Sequence, residues 1–108
     1  MYCGRELGER YENWLDFSVD HVVPANTIGR GYLTTWVYDL INLVTCCRHC
    51  NEFLNRYTVD EPQPSDLEAF CALRDRHFLA KRDRVLIRHE QERALYDVWR
   101  AATQRAPH

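Results

Sequence analysis

The sequence lacks three features: an apolar run that could span a membrane, a secretion signal, and a positive net charge that would attract nucleic acid. No apolar run among the 108 residues approaches the roughly 18 that a membrane-spanning helix requires. Met1 is followed by polar residues and not by the apolar core of a secretion signal. Fourteen Lys and Arg residues against 16 Asp and Glu residues give a net charge of −2, so no overall positive field attracts DNA. We therefore expect a cytoplasmic protein with no membrane contact.

Glycine and proline are scarce, with four of each, and neither occurs between Ser65 and Ala106. Apolar residues in this stretch recur at roughly helical intervals: Leu67, Phe70, Leu73, Val85, Leu86, Leu95, Val98 and Trp99. Ser65-Asp66-Leu67-Glu68 matches a capping box, which predicts that a helix starts at this point with Ser65 as its cap. One unbroken helix would be about 60 Å long, so we expect one long helix or two, with any break at 77–84.

The same stretch carries a row of basic residues: Arg74, Arg76, Lys81, Arg82, Arg84 and Arg88. Because Asp75, Asp83 and Glu90 are interleaved with them, we interpret the row as a solvated face and not as a phosphate-binding stripe. The Leu, Val and Trp positions of this helical stretch also suit a homodimer or a partner protein.

Residues 1–60 have a different pattern. Alternating apolar residues at 17–23, ended by Pro24, predict a strand, and the β-branched run 41–45 predicts its hairpin partner across a long loop. Residues 48–57 contain no helix breaker and predict a short helix, and 61–64 form a proline-containing linker. The predicted class is α+β, with one domain at 1–60 and a helical extension at 61–108 that packs on it.

The five cysteines favour metal binding over a disulfide framework, because their number is odd and three of them crowd into Cys46, Cys47 and Cys50. Cys47-x-x-Cys50 has the spacing at which two thiolates meet one zinc ion, each at about 2.3 Å. Cys3, which precedes a glycine in a turn-like setting, is the natural third ligand.

The sequence leaves the identity of the fourth zinc ligand open. A cysteine before Met1 is the preferred source, because it leaves the knuckle undistorted, and Cys46, His49 and Cys71 are the alternatives. Cys46 and Cys71 are better explained as small buried apolar residues.

Four polar residues suit metal-dependent hydrolysis. A carboxylate such as Asp20 is a hard ligand for Mg²⁺, and an imidazole such as His21, with an ordinary pKa of about 6.5, is suited to remove a proton from water. Asn51 and Asn55 are four residues apart on the predicted short helix, so they share a face and can join Asp20 around a cation. The alternatives are a core histidine paired with Asp20, and a solvent-exposed Asn55.

The order of these pieces resembles the HNH endonucleases. The resemblance covers about residues 3–57 and rests on Asp20-His21-Val22-Val23-Pro24, Asn42-Leu43 and Cys47-x-x-Cys50-Asn51. It implies a ββα-metal finger, in which a hairpin and a helix surround one catalytic Mg²⁺ or Mn²⁺, followed by the C-terminal helix or helices. The implied activity is hydrolysis of DNA phosphodiester bonds, with contacts mainly to the phosphate backbone.

The resemblance also implies a role for each residue. Asp20 and Asn51 would hold the catalytic cation, with Asn55 as a further ligand. His21 would be the general base, and Asn42 would steady the loop and the histidine ring. Cys3, Cys47 and Cys50 would hold a structural Zn²⁺. The alternative function is a catalytically inactive, zinc-stapled module that binds nucleic acid or protein.

Overall fold

A computed structural model describes residues 2–4, 11, 15 and 17–105. Two strands, β1 (Phe17–His21) and β2 (Leu43–Cys47), form an antiparallel sheet. A one-turn helix, α1 (Thr34–Val37), lies between the strands, and the short helix α2 (Arg48–Phe53) follows β2 directly. The long helix α3 (Leu67–Arg105) ends the described chain. The predicted α+β class with a C-terminal helical region is confirmed.

The connection between the strands is more ordered than the predicted loop. Besides α1, it contains two 3₁₀ turns, Ala25–Arg30 and Leu40–Asn42. The second turn is capped by Asp39, whose carboxylate accepts a hydrogen bond from the backbone nitrogen of Ile41 at 3.0 Å. Because this turn uses 40–42, β2 begins two residues later than the predicted run 41–45.

The strand register divides the sheet into two faces. Ser18 pairs with Cys46 and Asp20 with Val44, so these four side chains share one face. This face lies against the protein interior, where Cys46 is fully buried. The opposite face is more exposed apart from the buried Cys47, and it also carries Phe17, Val19, His21, Leu43 and Thr45.

Both helices after the sheet differ from the predicted bounds. α2 ends at Phe53 and not at 57, because the chain turns there and the backbone nitrogen of Tyr57 donates to the oxygen of Leu54. α3 begins at Leu67, and the carboxylate of Asp66 accepts a hydrogen bond from the backbone nitrogen of Ala69 at 2.8 Å. Asp66 is therefore the cap, in place of the predicted Ser65.

Helix α3 is continuous over 39 residues, with no break at 77–84. Only Phe70, Leu73 and Val85 of its predicted apolar stripe are buried, in a core cluster with Tyr2, Val23, Val37, Cys46 and Leu54, among others, whereas Leu67 is exposed. The distal side chains Leu86, Leu95, Val98 and Trp99 are exposed. Within the described residues, no helix has the apolar character that crossing a membrane demands.

Candidate functional site

Three cysteine side chains from distant parts of the sequence meet beside the sheet. The Sγ atoms of Cys3, Cys47 and Cys50, which we call the thiol cluster, lie within 4.8 Å of one another. Cys47 Sγ is 3.8 Å from Cys3 Sγ and 3.3 Å from Cys50 Sγ. A tetrahedral zinc ion with sulfur at about 2.3 Å spaces its ligands about 3.8 Å apart. The thiol cluster can therefore hold a metal ion, as the sequence predicts.

The junction of β2 and α2 builds most of the thiol cluster. Cys47 is the N-cap of α2, and its Sγ accepts a hydrogen bond from the backbone nitrogen of Cys50 at 3.4 Å. Cys3 precedes Gly4, whose φ of 74° is a left-handed conformation that glycine adopts without strain. Burial, together with the neighbouring Cys47 and Cys3, raises the pKa of the Cys50 thiol. A metal ion must displace the thiol protons, so its affinity increases with pH.

The residues that the sequence offers as a fourth ligand lie elsewhere. Cys46 is buried on the interior face of the sheet, where burial and the charge of Asp20 raise its pKa to about 12. His49 Nε2 is 2.9 Å from a Glu92 carboxylate oxygen, and the His49 side chain is 54% exposed. Cys71 lies near the start of α3 and is not part of the thiol cluster.

The sequence interpretation missed His89, whose Nε2 lies 4.0 Å from Cys50 Sγ. The sequence nevertheless contains a signal for His89 in its distance along α3 from two other residues. Lys81, Val85 and His89 recur at intervals of four, so they share one face of α3. Lys81 and Val85 are both buried on that face. His89 is thus the next position of the stripe that packs against the rest of the protein.

Asp20 belongs to a buried hydrogen-bonded group with Lys81 and Tyr2. Lys81 Nζ donates to Asp20 Oδ2 at 2.8 Å, and the Tyr2 hydroxyl donates to the same oxygen at 2.6 Å. The Lys81 side chain is 1% exposed and that of Asp20 is 13% exposed. Burial lowers the pKa of Lys81, and the charge of Asp20 opposes that shift. The prediction that Lys81 belongs to a solvated face is wrong, because its ammonium neutralises a carboxylate inside the protein.

Asn42 is fully buried and holds the chain together immediately after β1. Its Oδ1 accepts a hydrogen bond from the backbone nitrogen of Val23 at 2.9 Å. Its Nδ2 donates to the backbone oxygens of Val23 at 2.9 Å and Val37 at 2.8 Å. The backbone nitrogen of Val22 also donates to the backbone oxygen of Asn42 at 2.8 Å. β1 itself ends at His21 and not at the predicted 23. One side chain thus fixes both ends of the connection between the strands.

The two other asparagines have different positions. Asn51 lies in α2, and its amide nitrogen donates to Ser18 Oγ at 2.8 Å. Ser18 and Asp20 are two residues apart on β1, so Asn51 and Asp20 lie on the same side of the sheet. Asn55 lies beyond the end of α2 and is exposed. The shared helical face expected for Asn51 and Asn55 is therefore not formed.

His21 is the last residue of β1, and its side chain points to the more exposed face of the sheet, opposite to Asp20. Its ring is half-buried and packs edge-on against Tyr38, with the ring centroids 5.0 Å apart. The backbone oxygen of His21 accepts a hydrogen bond from Lys81 Nζ at 2.9 Å. The alternative of a core pair between His21 and Asp20 does not fit this arrangement.

The structure thus brings the three thiols together, and it places Asp20 and Asn51 on the same side of β1. His21 adjoins Asp20 through the backbone, with its ring on the other face. In comparisons with family models, curated proteins and solved structures, no match to this chain was found.

Proposed function

We propose that the protein is an HNH-type endonuclease that hydrolyses DNA phosphodiester bonds with one divalent cation, Mg²⁺ or Mn²⁺. The β1–β2–α2 unit supports this proposal as a ββα-metal finger, and the thiol cluster supports it as a structural Zn²⁺ site. The observation that carries it is the setting of Asp20 and His21. Buried Asn42 fixes the chain directly after them, and Asn51 reaches back to β1 on the Asp20 side.

The donors around Asp20 fit a hard cation in type. A carboxylate and an amide oxygen are the ligands that Mg²⁺ prefers, and the amide nitrogen of Asn51 is the atom turned toward Ser18. A cation held there would supply positive charge beside the scissile phosphate. Asp20 Oδ2 already accepts hydrogen bonds from Lys81 and Tyr2, so a cation must use the other carboxylate oxygen or compete with the Lys81 ammonium.

His21 is suited to act as the general base. It ends a strand with its half-buried imidazole on the more exposed face, opposite to Asp20 and Asn51, so it would act on a DNA backbone that lies across the end of β1. The imidazole would accept the proton of the attacking water, and the Tyr38 ring would limit its rotation. Because the chemistry addresses the backbone, base identity need not be read at this site.

Nicking of supercoiled plasmid DNA in the presence of Mg²⁺ tests the proposal. We expect His21→Ala to lower the nicking rate at least about 100-fold, since a positioned general base contributes that much or more. His49→Ala is the matched control, because it removes an exposed histidine that pairs with Glu92, and it should nick at the parent rate. A His21→Ala protein that nicks as fast as the parent would end the assignment of His21.

The ion pair of Lys81 with Asp20 favours a second function, a zinc-stapled binding module without catalysis. An ammonium at 2.8 Å gives the carboxylate a permanent positive partner, which removes the need for a metal ion there. The exposed Leu95, Val98 and Trp99 of α3 would then contact a second copy or a partner protein. Folded, zinc-loaded protein that fails to nick DNA with either Mg²⁺ or Mn²⁺ would support this module and contradict the nuclease.

A further inference from the structure

We propose that His89 Nε2 is the fourth ligand of the zinc site, so that the metal fastens the long helix α3 to the thiol cluster. This inference depends on the thiol cluster binding a metal ion, and it does not depend on nuclease activity. The resulting site has three sulfur ligands and one nitrogen ligand. It joins the N-terminal segment, the β2–α2 junction and the middle of α3.

The geometry of His89 is close to that of a bound ligand. For zinc with sulfur at about 2.3 Å and nitrogen at about 2.0 Å, adjacent ligand atoms are about 3.5 Å apart. The Nε2 atom of His89 is 4.0 Å from Cys50 Sγ, about half an ångström beyond that spacing, and the imidazole must move toward the three thiols to complete the site. The His89 side chain is half-buried on the inward face of α3.

Other contacts hold α3 beside α2 at this level, so His89 does not depend on a metal ion to be near the thiols. His49 of α2 contacts Glu92 of α3 at 2.9 Å. The Arg88 guanidinium lies over the Phe53 ring, 5.8 Å from its centroid. These contacts lie on either side of His89 along α3, and they place its imidazole facing the first turn of α2.

The three competing ligands within the sequence, His49, Cys71 and Cys46, are excluded by position, and the His89 variants below distinguish His89 from a cysteine that precedes Met1. His49 is turned toward Glu92 and is 54% exposed. Cys71 lies 18 residues before His89 in one continuous helix, which separates them by about 27 Å. Cys46 adjoins Cys47 on a strand, so its side chain points to the opposite face of the sheet.

Cobalt binding tests the proposal, because Co²⁺ replaces Zn²⁺ and its visible spectrum reports the number and type of ligands. We expect the parent to show a tetrahedral spectrum with three thiolates and one nitrogen. His89→Ala should weaken the binding of Co²⁺, and of Zn²⁺ in competition with a chelator, by at least about 10-fold, since loss of even an outer-shell partner costs that much. The matched control Glu90→Ala, which truncates an exposed neighbour of His89 on α3, should stay within about twofold of the parent.

A second variant covers the case in which His89→Ala does not fold, as judged by circular dichroism. His89→Cys should bind cobalt with a spectrum shifted to longer wavelength and stronger sulfur-to-cobalt absorption, as expected for four thiolates. An unchanged spectrum in His89→Cys, or parent-like affinity in His89→Ala, would overturn the proposal, and so would a parent that binds no cobalt through its thiols. Protein that binds cobalt through His89 but does not nick DNA would uphold this inference and contradict the nuclease.

Discussion

Replacement of Lys81 by methionine should destabilise the protein, although lysine is ordinarily a surface residue. The Lys81 side chain is 1% exposed, and it is the cation paired with the Asp20 carboxylate, which is 13% exposed. Removing one partner of a buried ion pair costs about 3–5 kcal/mol, because the other charge is left uncompensated. The lower end, about 3 kcal/mol, applies here, since Tyr2 still donates to Asp20. For a domain of this size, that loss lowers the melting temperature by roughly 12 °C.

Urea unfolding, followed by circular dichroism in buffer with zinc and without magnesium, measures this loss. Arg82→Met is the matched control, because it removes an exposed cation one residue along the helix and should cost less than about 0.5 kcal/mol. The double variant Asp20→Asn with Lys81→Met should be more stable than Lys81→Met alone, since neither charge is then buried unpaired. The reasoning is refuted if Lys81→Met is as stable as Arg82→Met. It is also refuted if the stability lost by the double variant equals the sum of the losses of Asp20→Asn alone and Lys81→Met alone.

Three further predictions concern the connection between the strands, the metal and pH. Asn42→Ala should lose about 3 kcal/mol in urea unfolding, because it leaves buried backbone groups of Val23 and Val37 unpaired, whereas exposed Asn55→Ala should be neutral. Removal of the metal with a chelator should release about one zinc ion per chain and lower the melting temperature, and elemental analysis that finds none would contradict the zinc site. Burial raises the pKa of Tyr32 above 10.0, so its contribution to stability is complete below pH 10 and is lost as pH rises further. Tyr32→Phe should therefore lose less stability than the parent between pH 10 and 11, and equal losses would show that Tyr32 plays no part.

Local patterns in the sequence were sufficient for the order of β1, β2, α2 and α3, but they did not predict α1 or the two 3₁₀ turns between the strands. The absence of Gly and Pro between Ser65 and Ala106 predicts the helical stretch, and the spacing of Cys47 and Cys50 predicts two members of the thiol cluster. The starts of β2 and α3 were predicted one or two residues too early, because a side chain caps the preceding turn or the helix. Asp39 caps a 3₁₀ turn, so β2 begins only after that turn. The Asp66 carboxylate, and not the Ser65 hydroxyl, caps α3.

The partners of α3 could not be predicted in the same way, because they depend on contacts between distant residues. Lys81 meets Asp20 across 61 positions, and His89 approaches Cys50 across 39. In the local sequence, Lys81 and His89 are each one polar side chain among many on a helix rich in charged residues. Lys81 and His89 each lie four residues from Val85, so all three share one face of α3. This spacing shows that Lys81 and His89 face inward only when Val85 is known to be buried.

Lys81 and His89, the two inward polar residues of α3, connect this helix to the rest of the protein in two different ways. At His89 a zinc ion would add a bond between the helix and the thiol cluster, so metal binding and helix docking strengthen each other. At Lys81 the ammonium already satisfies Asp20, so a cation bound to Asp20 and the docking of α3 would oppose each other. If the protein is a nuclease, Lys81→Met should therefore lower the Mg²⁺ concentration needed for half-maximal nicking even as it lowers stability. An unchanged or higher Mg²⁺ requirement in that variant would show that the cation does not compete with Lys81 for Asp20.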